Sequence, residues 1–322
     1  MKSLDPDHPR LSPIHLRMEL LDRGLNDRAI ARAVREGILH RVRRGAYMDA
    51  TAWNSLDTAG RHAVLARAVV RQANTEVVLS HASALPDWEA PVWGFDLSTV
   101  HATRTDRKSG RKEAGVRQHR GLLLPEDIIS RNGVRLCSPE RTMIELTTVA
   151  PIEPCLVSWC YFLHESLTTL KQVDDRYRAI GSDHDAPMDH WPDTLTTDLL
   201  LRLADGRCET PGEARTLHLC WRQHLPMPTP QYVIRDRAGN IVARVDFAWP
   251  EYGVFLEFDG LIKYTRLLRE GESAADVVLR EKQREQLICE LTNWRCIRIV
   301  WADLDRPEHT AQRIRNMLFP AH

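Results

Sequence analysis

Residues 242–260 read VARVDFAWPEYGVFLEFDG. Two alternating segments flank the turn residues Pro250, Glu251, Tyr252 and Gly253, the pattern of a β-hairpin. Pairing across that turn sets Trp249 against Val254, Phe247 against Leu256 and Val245 against Phe258, an apolar face throughout. The opposite face sets Ala248 against Phe255, Asp246 against Glu257 and Arg244 against Asp259. Opposed residues on one face have Cβ atoms about 4.5–5.5 Å apart, and like charges so placed are destabilising. Asp246 facing Glu257 therefore requires a compensating partner. A divalent cation between them is one reading, because hard cations take oxygen ligands. The other is that both carboxylates are solvated and bridged by Arg244. A slip of one residue would turn the charges onto the apolar side, so the register is well specified.

Working outward, Thr210 or Pro211 opens a helix carrying Glu213, Leu217, Cys220 and Trp221, and a strand near 231–235 leads into the hairpin. A loop over 261–272 follows. Ser273, with Asp276 three residues later, caps a helix running to about Leu291. RCIRIVW (295–301) reads as a buried strand, and Asp305 and Pro307 open a last helix through about Leu318. This order resembles the PD-(D/E)XK nuclease superfamily: a helix with Glu213, a strand with Asp246, a strand with Glu257 and Asp259, a helix, a strand. More narrowly it is similar to the branch related to very-short-patch-repair endonucleases, through Glu257-Phe258-Asp259-Gly260 and the run REKQREQLICELTNWRCIRIVW. The resemblance covers about 209–305. It implies Mg²⁺ or Mn²⁺ held by Asp246 and Glu257, with Glu213 orienting water or completing the shell. Such an ion polarises a scissile phosphate and lowers the pKa of an attacking water. Asp259 stands where the superfamily places a lysine, so the resemblance leaves the phosphate-facing charge to Lys263, Lys282, Arg280 or Arg284. Tyr264 could likewise reach such a site, with packing as its other reading. The catalytic set implied is Glu213, Asp246, Glu257, Asp259, Lys263 and Lys282.

The amino-terminal half has a different character. Ser12-Pro13 reads as the start of a helix ending near Gly24, and Asn26 or Asp27 starts a second that stops at Gly37. In the second, Ile30, Ala33 and Val34 form an inner stripe, and Arg28, Arg32 and Arg35 lie outside it. ILHRVRRGAYM (38–48) reads as a hairpin turning at Arg43-Arg44-Gly45. Helix, helix and basic hairpin is the order of a winged helix-turn-helix, in which the helix arginines would enter a groove and Arg41, Arg43 and Arg44 would meet phosphate. A small helical cap with a solvated arginine face is the other reading. A helix over 52–72 follows, with Val64, Leu65, Ala68 and Val69 as its core stripe. Residues 76–137 are expected to be mixed, with strands at 96–101 and 133–137, a short helix opened by Ser80-His81-Ala82-Ser83 and a basic loop within 104–120. Helices are expected from Ser138-Pro139 to Ala150 and over 153–171. The run GILHRVRRGAYM, then LSHASAL and CSPERTMIEL, resembles the AbiEi-type antitoxin family over about 10–170. That resemblance implies a transcriptional autorepressor of a two-gene operon and a nucleotidyltransferase-like toxin as partner.

The totals fit such a plan. A length of 322 residues suggests two or three domains. Lys plus Arg and Asp plus Glu are each 44, yet the zero net charge conceals basic segments at 10–50 and 101–120 and an acidic one at 174–213. Local basic patches favour double-stranded DNA as a partner. The acidic stretch 174–193, broken by Gly181, Pro187 and Pro192, reads as a linker or insertion; its Asp183, His184, Asp185, Asp189 and His190 are also metal-capable. Seven cysteines without a CxxC pair argue against a disulfide framework or a zinc ribbon. No apolar run has the length of a membrane span, which with reduced thiols points to the cytoplasm. The expectation is an α/β (α+β), multidomain chain. It comprises a disordered tail over 1–10, a winged helix-turn-helix over 11–50, a mixed middle domain over 51–172, an acidic linker or insertion with a helix over 173–208 and a nuclease-like domain over 209–322.

Overall fold

The computed structural model describes residues 4–106, 112–113, 115–181, 194–236, 238–260 and 274–320. The chain is of mixed α and β class with three sheets among these residues, and it divides into two compact units. One comprises 1–158 and 165–202, the other 159–164 and 203–322.

The first unit opens with a three-stranded sheet around two helices. Strand β1 (His15–Leu16) precedes α1 (Arg17–Asp22) and α2 (Asp27–Arg35). The hairpin follows as β2 (Leu39–Arg43) and β3 (Ala46–Asp49), with β3 central in the order β1-β3-β2. The expected start at Ser12-Pro13 is displaced: α1 begins at Arg17, where the Glu19 carboxylate accepts the Leu16 N–H at 2.8 Å. Asn26 caps α2 through Ala29 N–H at 2.9 Å, as its sequence suggests. Residues 4–10 are anchored, contrary to the expected disorder. Leu4 N–H donates to Asn132 Oδ1 and Arg10 donates to Pro86 O at 2.6 Å.

The helix expected over 52–72 is two, α3 (Ala50–Asn54) and α4 (Thr58–Gln72), because Asp57 caps α4 through Gly60 N–H and interrupts the run. Met48 and Ala46 of β3 share one core with Val64 and Ala68 of α4, Leu56 and Ile14. The β2–β3 hairpin and α4 are thus parts of one compact unit, with no break at residue 50.

A six-stranded mixed sheet follows: β4 (Val77–Leu79), β5 (Val100–Arg104), β6 (Lys112–Glu113), β7 (Val116–His119), β8 (Ile128–Arg131) and β9 (Val134–Cys137). Its order is β6-β7-β5-β4-β9-β8, with β5 parallel to β7 and β4 parallel to β9. Between β8 and β9 lie Asn132 and Gly133, both at positive φ, the two-residue turn whose twist suits a hairpin. A 3-10 helix, His81–Trp88, lies between β4 and β5. Next come α5 (Pro139–Leu146), capped by Ser138, then α6 (Ile152–His164), α7 (Leu170–Gly181) and α8 (Thr194–Leu203). Residues 174–181, read as the start of a linker or insertion, are the end of α7. Val173 is buried, and Arg176 grips the buried Asp127 carboxylate with bonds of 2.6 and 2.5 Å, which fixes α7. The acidic and histidine residues at 183–190 lie outside the described residues.

The second unit comprises the end of α6, α9 (Pro211–Arg222), β10 (Thr229–Arg235), β11 (Ile241–Trp249), β12 (Val254–Asp259), α10 (Ala274–Thr292), β13 (Arg295–Val300), α11 (Trp301–Leu304) and α12 (Pro307–Leu318). The sheet order is β10-β11-β12-β13, antiparallel except for the parallel β12–β13 pair. The expected hairpin register holds for Phe247–Leu256, Ala248–Phe255 and Trp249–Val254, and the ladder ends there. Phe258 packs edge-on to Trp301 and lies so close to α9 that a Cβ at Gly212 would collide with its ring. Phe255 and Ala248 instead join Ile288 of α10 in a second cluster. The face expected to be charged is therefore partly a helix-packing face. No helix among the described residues is long and apolar enough to cross a membrane.

Candidate functional site

The carboxylates of the second unit come from α9, β11 and β12. Thr210 caps α9, and Glu213 folds back onto that cap. Its oxygens accept Thr210 Oγ1 at 2.8 Å, Glu209 N–H at 3.0 Å and Gln231 Nε2 at 2.8 Å. Gln231 holds a left-handed backbone, φ +50°, rare for a residue with a Cβ. Burial, then the nearby Asp246 carboxylate, raise the Glu213 pKa above the ordinary glutamate range; the hydrogen bonds oppose this.

Asp246 and Glu257 are not laddered across from one another. The paired register stops one residue short, and Asp246 Oδ2 accepts Phe258 N–H at 2.8 Å. Glu257 is buried and accepts Arg284 Nη2 at 3.1 Å, the same nitrogen that donates to Arg244 O at 2.5 Å. Arg244 pairs with Glu209 at 2.7 Å, and the ladder does not extend to set it against Asp259 as expected. Asp259 is held by Arg298 of the parallel strand, at 2.9 and 3.1 Å, and Arg298 also binds Glu285 at 2.7 Å. The structure thus brings Glu213 within electrostatic reach of Asp246, and Arg284 onto Glu257. Lys282 is exposed, and Lys263, Tyr264 and Ser273 lie outside the described residues. Among the described residues, Glu213, Asp246 and Glu257 do not form a group whose ligand oxygens all converge to metal-binding distance. Their atoms are of the right kind for Mg²⁺, hard oxygens, but the present partners compete with it.

In the amino-terminal module, Arg28, Arg32, Arg35, Arg41 and Arg44 are exposed, whereas Arg43 is half-buried. His40 of β2 stacks on Trp53 at 4.2 Å between ring centres, with Arg61 over the same indole. That stack fixes the wing strand that carries Arg41.

A third constellation lies in the first unit. His81 opens the 3-10 helix, His101 is on β5 and His119 is on β7. Because Thr103 pairs with His119 in the parallel ladder, His101 and His119 are diagonal neighbours. His101 Nδ1 stands 2.9 Å from His119 Nε2, and the His81 ring stacks on His119 with centres 3.7 Å apart. His81 Nδ1 is 2.9 Å from Ser80 Oγ and 3.5 Å from Glu145 Oε2. Glu145 also accepts Arg141 Nε at 2.8 Å. Ser83 Oγ lies 2.8 Å from His62 Nε2 and accepts His101 N–H. Burial is the largest cause of a depressed pKa in all three rings: well below the usual value for His81, to about 4 for His101 and to about 2 for His119. No periodicity in the sequence marks these histidines. They converge only through the parallel pairing of β5 and β7 and the left-handed turn at His81, φ +53°.

No family model matches the chain. Two uncharacterized proteins of Mycobacterium tuberculosis, MT2308 of strain CDC 1551 and Rv2248 of strain H37Rv, are each 33% identical to it over 120 residues. The match takes in 37% of this chain and 41% of each relative. The chain thus spans about two fifths of the length of the curated relatives it matches.

Proposed function

We propose that the protein binds double-stranded DNA through its amino-terminal helix–helix–hairpin module and carries a nuclease-like carboxy-terminal unit, acting in the cytoplasm. The observation that carries the first part is the exposed arginine set on α2 and the wing, Arg28, Arg32, Arg35, Arg41 and Arg44. Guanidinium groups so displayed suit phosphate and groove contacts. The nuclease-like reading is supported by Asp246 and Glu257 on neighbouring strands, with Glu213 buried and under the influence of Asp246. Asp246 and Glu257 would hold Mg²⁺ or Mn²⁺, with Glu213 completing the shell. The ion would supply Lewis-acid polarisation of a phosphodiester. Within the chain, Glu213 fixes the start of α9 and Gln231 orients its carboxylate. Arg284 supplies positive charge beside Glu257, the role that the lysine-less Glu257-Phe258-Asp259 run leaves vacant.

A second reading is a DNA-binding autorepressor of antitoxin type, with a toxin partner and a nuclease-like unit that does not cut. It is favoured by one specific feature: Arg284 on Glu257 and Arg298 on Asp259 already neutralise two of the carboxylates. Incubation with plasmid DNA and Mg²⁺ or Mn²⁺ separates the readings. Nicking that disappears in both Asp246→Ala and Glu257→Ala, with circular dichroism unchanged, supports the first. Cleavage undiminished in both variants sinks the site assignment, and binding without any cleavage supports the second.

A further inference from the structure

We propose that His81, His101 and His119 form a binding site for one divalent transition-metal ion of the zinc class, separate from the carboxylates of the second unit. One ring nitrogen from each histidine lies within 4.8 Å of the others, the only group of three or more His, Cys, Asp or Glu residues among the described residues to do so. Neutral imidazoles suit zinc, copper, iron or nickel and not magnesium or calcium.

The spacing is near that of a coordinated set. Zinc–nitrogen bonds of about 2.0–2.1 Å at tetrahedral angles put ligand nitrogens about 3.3 Å apart. His101 Nδ1 and His119 Nε2 are 2.9 Å apart and share a hydrogen bond, so one of them carries a proton and the other accepts it. A cation replaces that shared proton. The protonated ring moves its hydrogen to its other nitrogen, both lone pairs face the ion, and the gap opens by about 0.4 Å. The stacked rings of His81 and His119 tilt at the same time so that their nitrogens converge.

Two further observations point to a ligand. The Thr103 hydroxyl is buried at 1% exposure with no hydrogen-bond partner, at the position paired with His119 and two residues from His101 on β5. An orphaned buried hydroxyl costs about 1–3 kcal/mol unless something satisfies it, and a water on the ion's fourth position is such a partner. The surroundings of His81 also match a ligating histidine. Ser80 Oγ and Glu145 Oε2 flank Nδ1, which leaves Nε2 for the ion, and such outer contacts fix ring orientation in metal sites.

The test uses the full-length protein, stripped with chelator and titrated with Zn²⁺, and separately with Co²⁺, whose visible spectrum reports nitrogen ligation. The expected result is one tightly bound equivalent per chain. It should persist in Asp246→Ala/Glu257→Ala and be lost in His119→Ala. His119→Gln, which preserves bulk, should lose it too, with circular dichroism and DNA gel shift as folding controls. Ser80→Ala should weaken binding about 10–100-fold. The proposal is overturned if the stripped protein takes up no ion at micromolar Zn²⁺ or Co²⁺. It is equally overturned if folded His119 variants bind as tightly as wild type, or if the bound equivalent disappears with Asp246 and Glu257.

Discussion

At the residue scale, the buried histidines tie chemistry to stability. His101 is pushed down to about 4 mainly by desolvation, then by Arg117 and His62, with Asp96 and Glu145 opposing. The unfolded chain would protonate it near 6.5. Between those values the unfolded state binds a proton that the folded state refuses, so the stability is present above about 6.5 and drains away as pH falls toward 4. For His101 alone the loss between pH 7 and pH 5 is about 2 kcal/mol. Urea unfolding of metal-stripped protein at both pH values should show this loss, and His101→Gln should shrink it. An equal drop in the variant would contradict the assignment. Sequence alone did not single out this cluster, since its members belong to three elements joined by a parallel pairing that no local pattern encodes.

At the element scale, α9 approaches β12 closely beside the carboxylates. Gly212 sits against the Phe258 ring, where an added Cβ would need the ring to move. Gly212→Ala should destabilise the second unit by about 1–3 kcal/mol or more, with Phe258→Leu in the same chain restoring part of it, measured by thermal unfolding. The strand pair on the other side of that ring was legible because its alternation and turn residues are local signals. Three of its six expected cross-strand pairs form the ladder. The rest escaped because the Asp246 side chain takes over Phe258 N–H, a tertiary choice that alternation cannot show. Helix α2 was legible from Asn26 and its apolar stripe, whereas the start of α1 was not, since its cap is the Glu19 side chain reaching backward to Leu16. The wing makes its own prediction. Arg41→Ala with Arg44→Ala should lower the slope of log affinity against log salt by about 2 in magnitude, at about 0.9 per phosphate contact. An unchanged slope in gel-shift titrations would remove the wing from the DNA interface.

At the scale of the whole molecule, the units do not follow a single cut in the chain. The last turns of α6, Trp159–His164, belong with 203–322 although some forty residues of the other unit intervene. Trp159, Cys160 and Phe162 are fully buried, and Cys160 hydrogen-bonds Cys208, which with burial raises the Cys208 thiol far above its usual range. A polypeptide of 203–322 lacks these side chains, so it should unfold at lower urea than the second unit does in the intact chain. Added peptide 152–164 should recover part of the difference. Equal midpoints would show the segment to be dispensable. Composition could not reveal this arrangement, because a boundary inside a helix leaves no glycine, proline or charge signal.

The core that Met48 shares with Val64 and Ala68 has a bearing on recognition. Under the proposed DNA-binding role, a hairpin pinned to a fifteen-residue helix would reach its target already shaped. Docking then forfeits little chain entropy, and contact energy goes to grip and discrimination, not to ordering the reader. Under that role, substitutions deep beneath the hairpin, at Met48 or Val64, would restore the ordering cost and weaken the hold on every site alike.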